Sequence, residues 1–599
     1  MKKLPGILFL LFNLSLFTFV NAQTGTWTAL KNLAPHDNQG VMLLLTDGTV
    51  ICSNTSGSGY GTGWDKLTPD IHGSYANGTW TSITNMNNDR FAFSSQVLPS
   101  GKVYVAGGEY GNGGYYGEVY DPVANTWTNC GNIPTGWNIY DACSELLYTG
   151  NILEGPEIGT NGGQPCNSIL QWNPITLNYI NENAEPQNHD EASWLKLPDS
   201  TVITVGMPYP NNPSQDSSCR FVPQTNSWLV DAMTPNNLYD QWGYESGPAF
   251  LLPNGKAIFF GATQYNAIYT PTGKSTTTGS WTAAANFPKI SSSYVTMPDA
   301  PGAMMVNGHI LLAVSPIPYS NSHTFNTPTY FLEYDYTNNT FTQVTAVIPT
   351  IGSDNLSGSI SQNNSFLVLP DGNVLMGCAA ISAPKQYFIY TPGSAAIPQG
   401  KPTIDGVTTT DCKKFMITGK LFNGISEGAG YGDDAQNSTN YPIVRLTNGT
   451  NVYYAKTTNW NRIGAVMTDS LEDTAYFTIP TMPTGTYSLV VTANGFASNP
   501  TLFTLPCVST DVQQTTASSN SISVYPNPSN GSFTIASSES LDKSVLTIYN
   551  MLGEKVATKE LTGNKNLLSL NGNPSGVYFY RITGETGILI SNGKLILQK

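Results

Sequence analysis

Short apolar runs, each closed by turn-forming residues, recur along the first two thirds of the chain. One unit appears seven times: an apolar strand, a tight turn, then a second apolar strand. The copies are Leu45-Thr-Asp-Gly-Thr-Val50, Leu98-Pro-Ser-Gly-Lys-Val103, Leu147-Tyr-Thr-Gly-Asn-Ile152, Leu197-Pro-Asp-Ser-Thr-Val202, Leu252-Pro-Asn-Gly-Lys-Ala257, Met305-Val-Asn-Gly-His-Ile310 and Leu369-Pro-Asp-Gly-Asn-Val374. Asp-Gly and Asn-Gly supply the positive φ angles that tight hairpins need. The turns fall at positions 48, 101, 150, 200, 255, 308 and 372. That spacing suits four-stranded blades and predicts a seven-bladed β-propeller.

A second marker keeps the same phase. Tyr120-Asp-Pro-Val-Ala-Asn-Thr-Trp127 is the fullest copy, with weaker ones from Trp172 to Tyr179, Phe221 to Trp228, Tyr269 to Trp281 and Tyr334 to Phe341. Together with Gly107-Gly108, these residues resemble the kelch repeat, over residues 24 to 396. The last copy ends at Tyr387-Phe-Ile-Tyr-Thr-Pro392 with no Trp strand after it, while the chain begins with an orphan one, Gly25-Thr-Trp-Thr-Ala-Leu30. The expected closure has the N-terminal strand completing the seventh blade, which removes the open edges at the seam.

Charge and composition narrow the partners. Lys+Arg 26 against Asp+Glu 40 gives a net charge of −14, which repels phosphate backbones and argues against nucleic acid. Residues 1–22 read as a signal peptide: Lys2 and Lys3, an apolar run from Ile7 to Val20, and Val20-Asn21-Ala22 at the cleavage site. No later segment is apolar enough to span a bilayer. Eight cysteines in an exported chain permit disulfides, and no CxxC pair points to structural zinc.

The Gly turns and the Asp-Pro-Val-Ala-Asn-Thr type of turn are short and share one face. The other face collects the long loops, among them 54–76, 108–117, 131–141, 206–218, 232–246 and 315–328. A site is expected there. Acidic residues recur just before the first strand of successive blades, near the axis: Asp37, Asp141, Asp190, Glu245 and Asp299, with Arg90 in the second. They could line a pocket at the channel mouth that holds sugar hydroxyls, a structural cation or an acid/base pair. They could equally cap turns by bonding neighbouring amides. Trp137 and Trp242 stand among the aromatics of the same loops, and His189 adjoins Asp190. Rings beside amides and carboxylates suit a carbohydrate surface; the competing role is packing between blades.

Residues 399–507 read as an Ig-like β-sandwich, with strand patterns at 414–418, 443–446, 452–455, 475–479 and 487–492. Cys412 and Cys507 lie near its two ends and are candidates to pair. A propeller followed by such a domain resembles the galactose oxidase family. That resemblance implies copper held by two Tyr and two His, with a Cys cross-linked to one Tyr and one His supplied by the C-terminal domain. The five histidines are His36, His72, His189, His309 and His323, so the C-terminal ligand is missing. No cofactor is expected.

After a Ser/Thr/Gln linker at 508–520, residues 521–599 resemble the C-terminal sorting domain of the Bacteroidetes type IX secretion system. The carrying residues are Val524-Tyr-Pro-Asn-Pro-Ser-Asn-Gly531, Leu546-Thr-Ile-Tyr-Asn-Met-Leu-Gly553, and Gly576-Val-Tyr-Phe-Tyr-Arg-Ile582. The resemblance implies partnership with that machinery and passage across the outer membrane. Taken together, the chain reads as all-β: a seven-bladed kelch-type propeller at 23–398, an Ig-like sandwich and a small C-terminal sandwich. The expected function is binding of glycan or an extracellular partner through the long-loop face. The alternative is a polysaccharide hydrolase or lyase with paired carboxylates at the channel mouth.

Overall fold

The computed structural model describes residues 24–599 except 38–39, 55–59, 141–142, 157–166, 188–191, 207–216, 244, 382–384, 410, 431–435, 466–470, 506–521 and 586–588. The chain falls into two compact units divided at residue 509.

Seven sheets of the first unit are blades built on antiparallel strands. In blades 1 to 5 four strands follow one another outward in chain order, blade 6 carries two further strands, and blade 7 takes its outermost strand from the start of the chain. Blade 1 is typical: Met42–Leu44, Val50–Asn54, Gly63–Thr68 and Thr79–Ser82. The innermost strands of blades 2 to 7 are Ser94–Val97, Cys143–Leu146, Leu195–Lys196, Ala249–Leu251, Gly302–Met304 and Asn364–Val368. Strand side chains alternate between faces, and both faces of a blade meet a neighbouring blade. The apolar cores therefore lie between blades. Blade 2 meets blade 3 through Tyr104, Ile152 and Trp172, and blade 3 meets blade 4 through Leu153, Trp194 and Phe221. Blade 6 meets blade 7 through Ala313, Phe331 and Met376.

The repeat motif has a direct structural role. Asn125 and Asn339 adopt left-handed backbone (φ 53° in each) at the turn between the third and fourth strands. Each accepts a hydrogen bond from the tyrosine that opens its motif, Tyr120 Oη at 2.9 Å and Tyr334 Oη at 2.8 Å. Tryptophans reach back one blade: Trp127 Nε1, on a fourth strand, donates to the Thr84 carbonyl, and Trp172 Nε1, on a third strand, to that of Cys130. The N-terminal strand Thr26–Ala29 pairs antiparallel with Phe388–Thr391 of blade 7. Trp27 packs there against Tyr390 and Phe331, with ring centroids 4.7 and 5.0 Å away.

The domain that follows the propeller carries the strands Thr403–Thr409, Lys414–Lys420, Ile443–Asn448, Asn451–Thr458, Asp473–Thr478, Gly485–Ala493 and Thr501–Leu505. Phe415, Ile417, Phe477, Leu489 and Phe503 form its interior. It lies against the Gly-turn face. The Thr457 amide donates to the Thr46 carbonyl at 3.1 Å, Asn459 to Pro99 at 2.5 Å, and Tyr441 Oη to Leu44 at 2.5 Å. Gly48 is needed there, since a Cβ would sit 2.5 Å from the Tyr454 ring.

This domain also sends a finger into the propeller's central channel. Glu427–Gly428 pairs with Leu251 and Phe250 of blade 5, Gly430 bridges Trp194 before blade 4, and Gln436–Asn437 runs parallel to Phe366–Leu367 of blade 7. Gln436 Oε1 accepts the Gly302 amide of blade 6 at 2.8 Å, and Asn437 Nδ2 donates to the Met42 carbonyl of blade 1 at 3.2 Å. Inner-strand edges that would be unpaired are thus satisfied by backbone and amide groups of the finger.

The second unit is a small two-sheet sandwich. One sheet joins Ile522–Tyr525, Ser532–Ser537 and Lys565–Ser569; the other joins Ser544–Tyr549, Lys555–Leu561, Gly576–Thr583 and Leu589–Leu597. Phe533, Ile535, Leu546, Ile548, Tyr578 and Ile582 fill the space between them. Asn527, from the Tyr-Pro-Asn-Pro motif, bonds the last strand twice: Nδ2 to the Lys594 carbonyl and Oδ1 from the Ile596 amide, both at 2.7 Å.

Candidate functional site

With one face packed against the following domain and the channel filled by the finger, the long-loop face is the exposed one. An open cleft of about 490 Å³ lies there, off the axis, at the outer part of blade 1. Its walls come from the loop between the second and third strands, the connection into blade 2 and the chain entering blade 1. His36, Asn54, Tyr60, Ser82, Asn85 and Asp89 line it, with Trp64 behind them.

Each wall is held by its own chemistry. His36 Nδ1 lies 3.0 and 3.1 Å from the two carboxylate oxygens of Asp65, which is 2% exposed. Asp65 also accepts the His36 amide at 3.2 Å and the Ser82 hydroxyl at 3.1 Å. With Nδ1 on the carboxylate, Nε2 is the ring nitrogen left to a ligand. The opposite wall is tied to blade 2. Glu118 accepts the backbone and side-chain amides of both Asn87 and Asn88, at 2.6 to 3.1 Å. Arg90 Nη2 completes this cluster at 2.7 Å from Glu118 Oε1. Burial pushes the Glu118 carboxyl upward, but the Asn87 amide, the Arg90 charge and the Asn88 side chain outweigh it and hold it below the usual carboxylate range.

The expected site residues divide into groups. Arg90 is fully interior: Nη1 donates to the carbonyls of Gly107 at 2.7 Å and Tyr116 at 3.1 Å, so the guanidinium supports the cleft wall instead of meeting a ligand. Its backbone exchanges hydrogen bonds with Gly61 at the cleft. Trp137 belongs to the core between blades 2 and 3. Asp37 is half-buried beside His36. Trp242 and Glu245 share one loop, whose amides are gathered by Asp240: it accepts Trp242 N at 2.7 Å, Gly243 N at 2.8 Å and Glu245 N at 3.1 Å. Asp299 has left-handed backbone (φ 53°) and bonds the Ser246 carbonyl through its amide, which brings it beside the Glu245 loop. Asp141, His189 and Asp190 lie outside the described residues.

The acidic positions were expected at a channel mouth, whereas the channel itself is occupied. There the Lys196 ammonium stands 2.5 Å from Glu145 and 3.0 Å from Glu427 of the finger. Burial pushes the Glu145 carboxyl upward, against the opposing pull of Lys196. His36, Asn54, Tyr60, Asn85 and Asp89 were not singled out from sequence. The polar run Asn85 to Asp89 before blade 2 was the available signal.

A copper centre of the galactose oxidase kind does not fit the described residues. His36 is held by Asp65, His72 by the Thr450 carbonyl, His309 by Glu333, and His323 stacks on Tyr319. Among the described residues no three His, Cys, Asp or Glu side chains converge as metal ligands.

Residues 97–134 match the family model of the kelch motif, and residues 523–598 match that of a secretion system C-terminal sorting domain. No curated protein matches the chain. Among solved structures, the chain is similar to a novel fungal alcohol oxidase of the AA5 family, in complex with copper. The identity is 13% and the TM-score 0.47, over 81% of this chain and 99% of that one. Fold and motif together define a kelch-motif β-propeller protein. The sorting domain makes it a type IX secretion cargo, destined for the cell surface or the extracellular space. Among the described residues, no helix is long and apolar enough to cross a membrane.

Proposed function

We propose that the protein binds glycan on its long-loop face, with the blade 1 cleft as the recognition site. One observation carries this reading. The uncovered face holds an open cavity of about 490 Å³ in which an exposed tyrosine, Tyr60, stands beside amides and a carboxylate. Sugars present C–H faces to rings and hydroxyls to amides, carboxylates and imidazole. Buried braces, Asp65 on one wall and Arg90–Glu118 on the other, hold those groups in place before a ligand arrives.

The enzymatic alternative rests on Glu245 and Asp299, whose loops the Asp299–Ser246 hydrogen bond joins. A glycan array with the full secreted protein, followed by assay of the hits for reducing-sugar or unsaturated-product release, separates the two. Saturable binding without product supports recognition. Turnover abolished by Glu245→Gln or Asp299→Asn supports the enzyme, and an array without hits overturns both.

A further inference from the structure

A second cavity, of about 610 Å³, lies on the opposite side of the propeller, between the turns of blades 2 and 3 and the following domain. It is unlike the blade 1 cleft in chemistry. Tyr148, Ile175 and Leu177 of blade 3 face Trp460 and Ile463 of the following domain across it, with Trp172 behind them. Lys102 is the only charged residue among the described lining, and Asp121 pairs with it at 3.1 Å.

Blade 3 departs from its sisters at this cavity. The turn between third and fourth strands places one residue in the left-handed region. In blades 2, 4 and 6 that residue is Asn125, Asn226 or Asn339, with φ of 53°, 49° and 53°. Asparagine tolerates this conformation and bonds locally. Blade 3 has Leu177 there at φ 57°, with a branched side chain 43% exposed. Two residues earlier, Ile175 is 89% exposed. In the adjacent Gly turn, Tyr148 is 43% exposed where four sister turns carry Pro99, Pro198, Pro253 and Pro370. Three apolar side chains are thus kept in water around one hollow, against local backbone preference at Leu177. A breach of local preference at a cavity marks function more readily than stability.

We propose that this cavity binds a small, uncharged, planar apolar molecule. Its volume suits a single small ligand. Elements on three sides wall it, so a folded macromolecule would reach only the rim. Aromatic walls favour a flat ring system. The one ammonium is already neutralised, so a charged ligand would lose hydration without compensation.

The test uses the full secreted protein, the neutral dye Nile red as fluorescent probe, and naphthalene in saturation-transfer NMR. The wild type is expected to bind both saturably at one site. Leu177→Asn, which restores the sister-blade residue, is expected to melt no lower than the wild type yet bind at least tenfold more weakly. Tyr148→Ser should weaken binding without unfolding the chain. Unchanged dye affinity in Leu177→Asn overturns the proposal, as does non-saturable binding by the wild type. Light scattering that shows a dimer dispersed by Leu177→Asn would assign the surface to a second copy and also overturn it.

Discussion

The Arg90 guanidinium is enclosed by Glu118 and by the carbonyls of Gly107 and Tyr116, with no water contact of its side chain. Removing one member of such a pair strands the other charge. Arg90→Met should therefore cost about 3 kcal/mol in denaturant unfolding. It should also loosen Asn87 to Asp89, so glycan affinity falls with stability. A second residue gives a pH signature. Glu154 is buried between blades 2 and 3, where burial raises its carboxyl from 4.5 to about 8 against hydrogen bonds from Tyr104 and Ser94. Between those values the folded chain holds a proton that the unfolded chain has released. Stability should then fall as pH rises across that window, by up to about 1.4 kcal/mol per pH unit. Glu154→Gln keeps the Ser94 hydrogen bond and removes the titration, so its melting temperature should lose that slope. An equal slope in both proteins would remove Glu154 from the account.

At the scale of elements, the closing strand and the finger carry the fold's completeness. Trp27→Ala removes a ring buried between Tyr390 and Phe331 and should cost about 3–5 kcal/mol. It should also favour aggregation, because strand Phe388–Thr391 would then present an open edge. Gly430→Val tests the finger: a Cβ there would lie 2.1 Å from the Ser144 carbonyl, so seating in the channel should fail and the melting temperature should drop. The blades were legible because each copy repeats turn chemistry with one physical solution, positive φ at Gly48 or Asn125. The closing strand was legible from an unmatched tryptophan. The finger was not, because residues 423–440 are rich in Gly, Asn and Ser and lack strand alternation. Its strands are two residues long and their partners lie far away in sequence. The loop 54–76, which contributes to the proposed cleft, was legible as one of the long loops. The cleft was not, because it assembles from His36, Tyr60 and Asn85 in three separate segments.

At the scale of the molecule, two compact units divide the labour. The sandwich from Ile522 to Leu597 has its own interior, separate from the blade cores. Truncation after residue 509 should leave the propeller folded, with an unchanged melting transition, while the protein stays in the periplasm. Surface labelling and cell fractionation would read this out. The first unit would then be a scaffold with one face packed, its channel filled and its other face free to recognise. The most direct test of that account is a titration of the strongest glycan hit against three full-length proteins: the wild type, Tyr60→Ala with Asn85→Ala, and Trp242→Ala. The blade 1 double variant should lose at least tenfold in affinity while melting as the wild type does, and Trp242→Ala should bind as the wild type. Full affinity in the blade 1 variant, with loss in Trp242→Ala, would contradict the account and move recognition to the loop that carries Glu245.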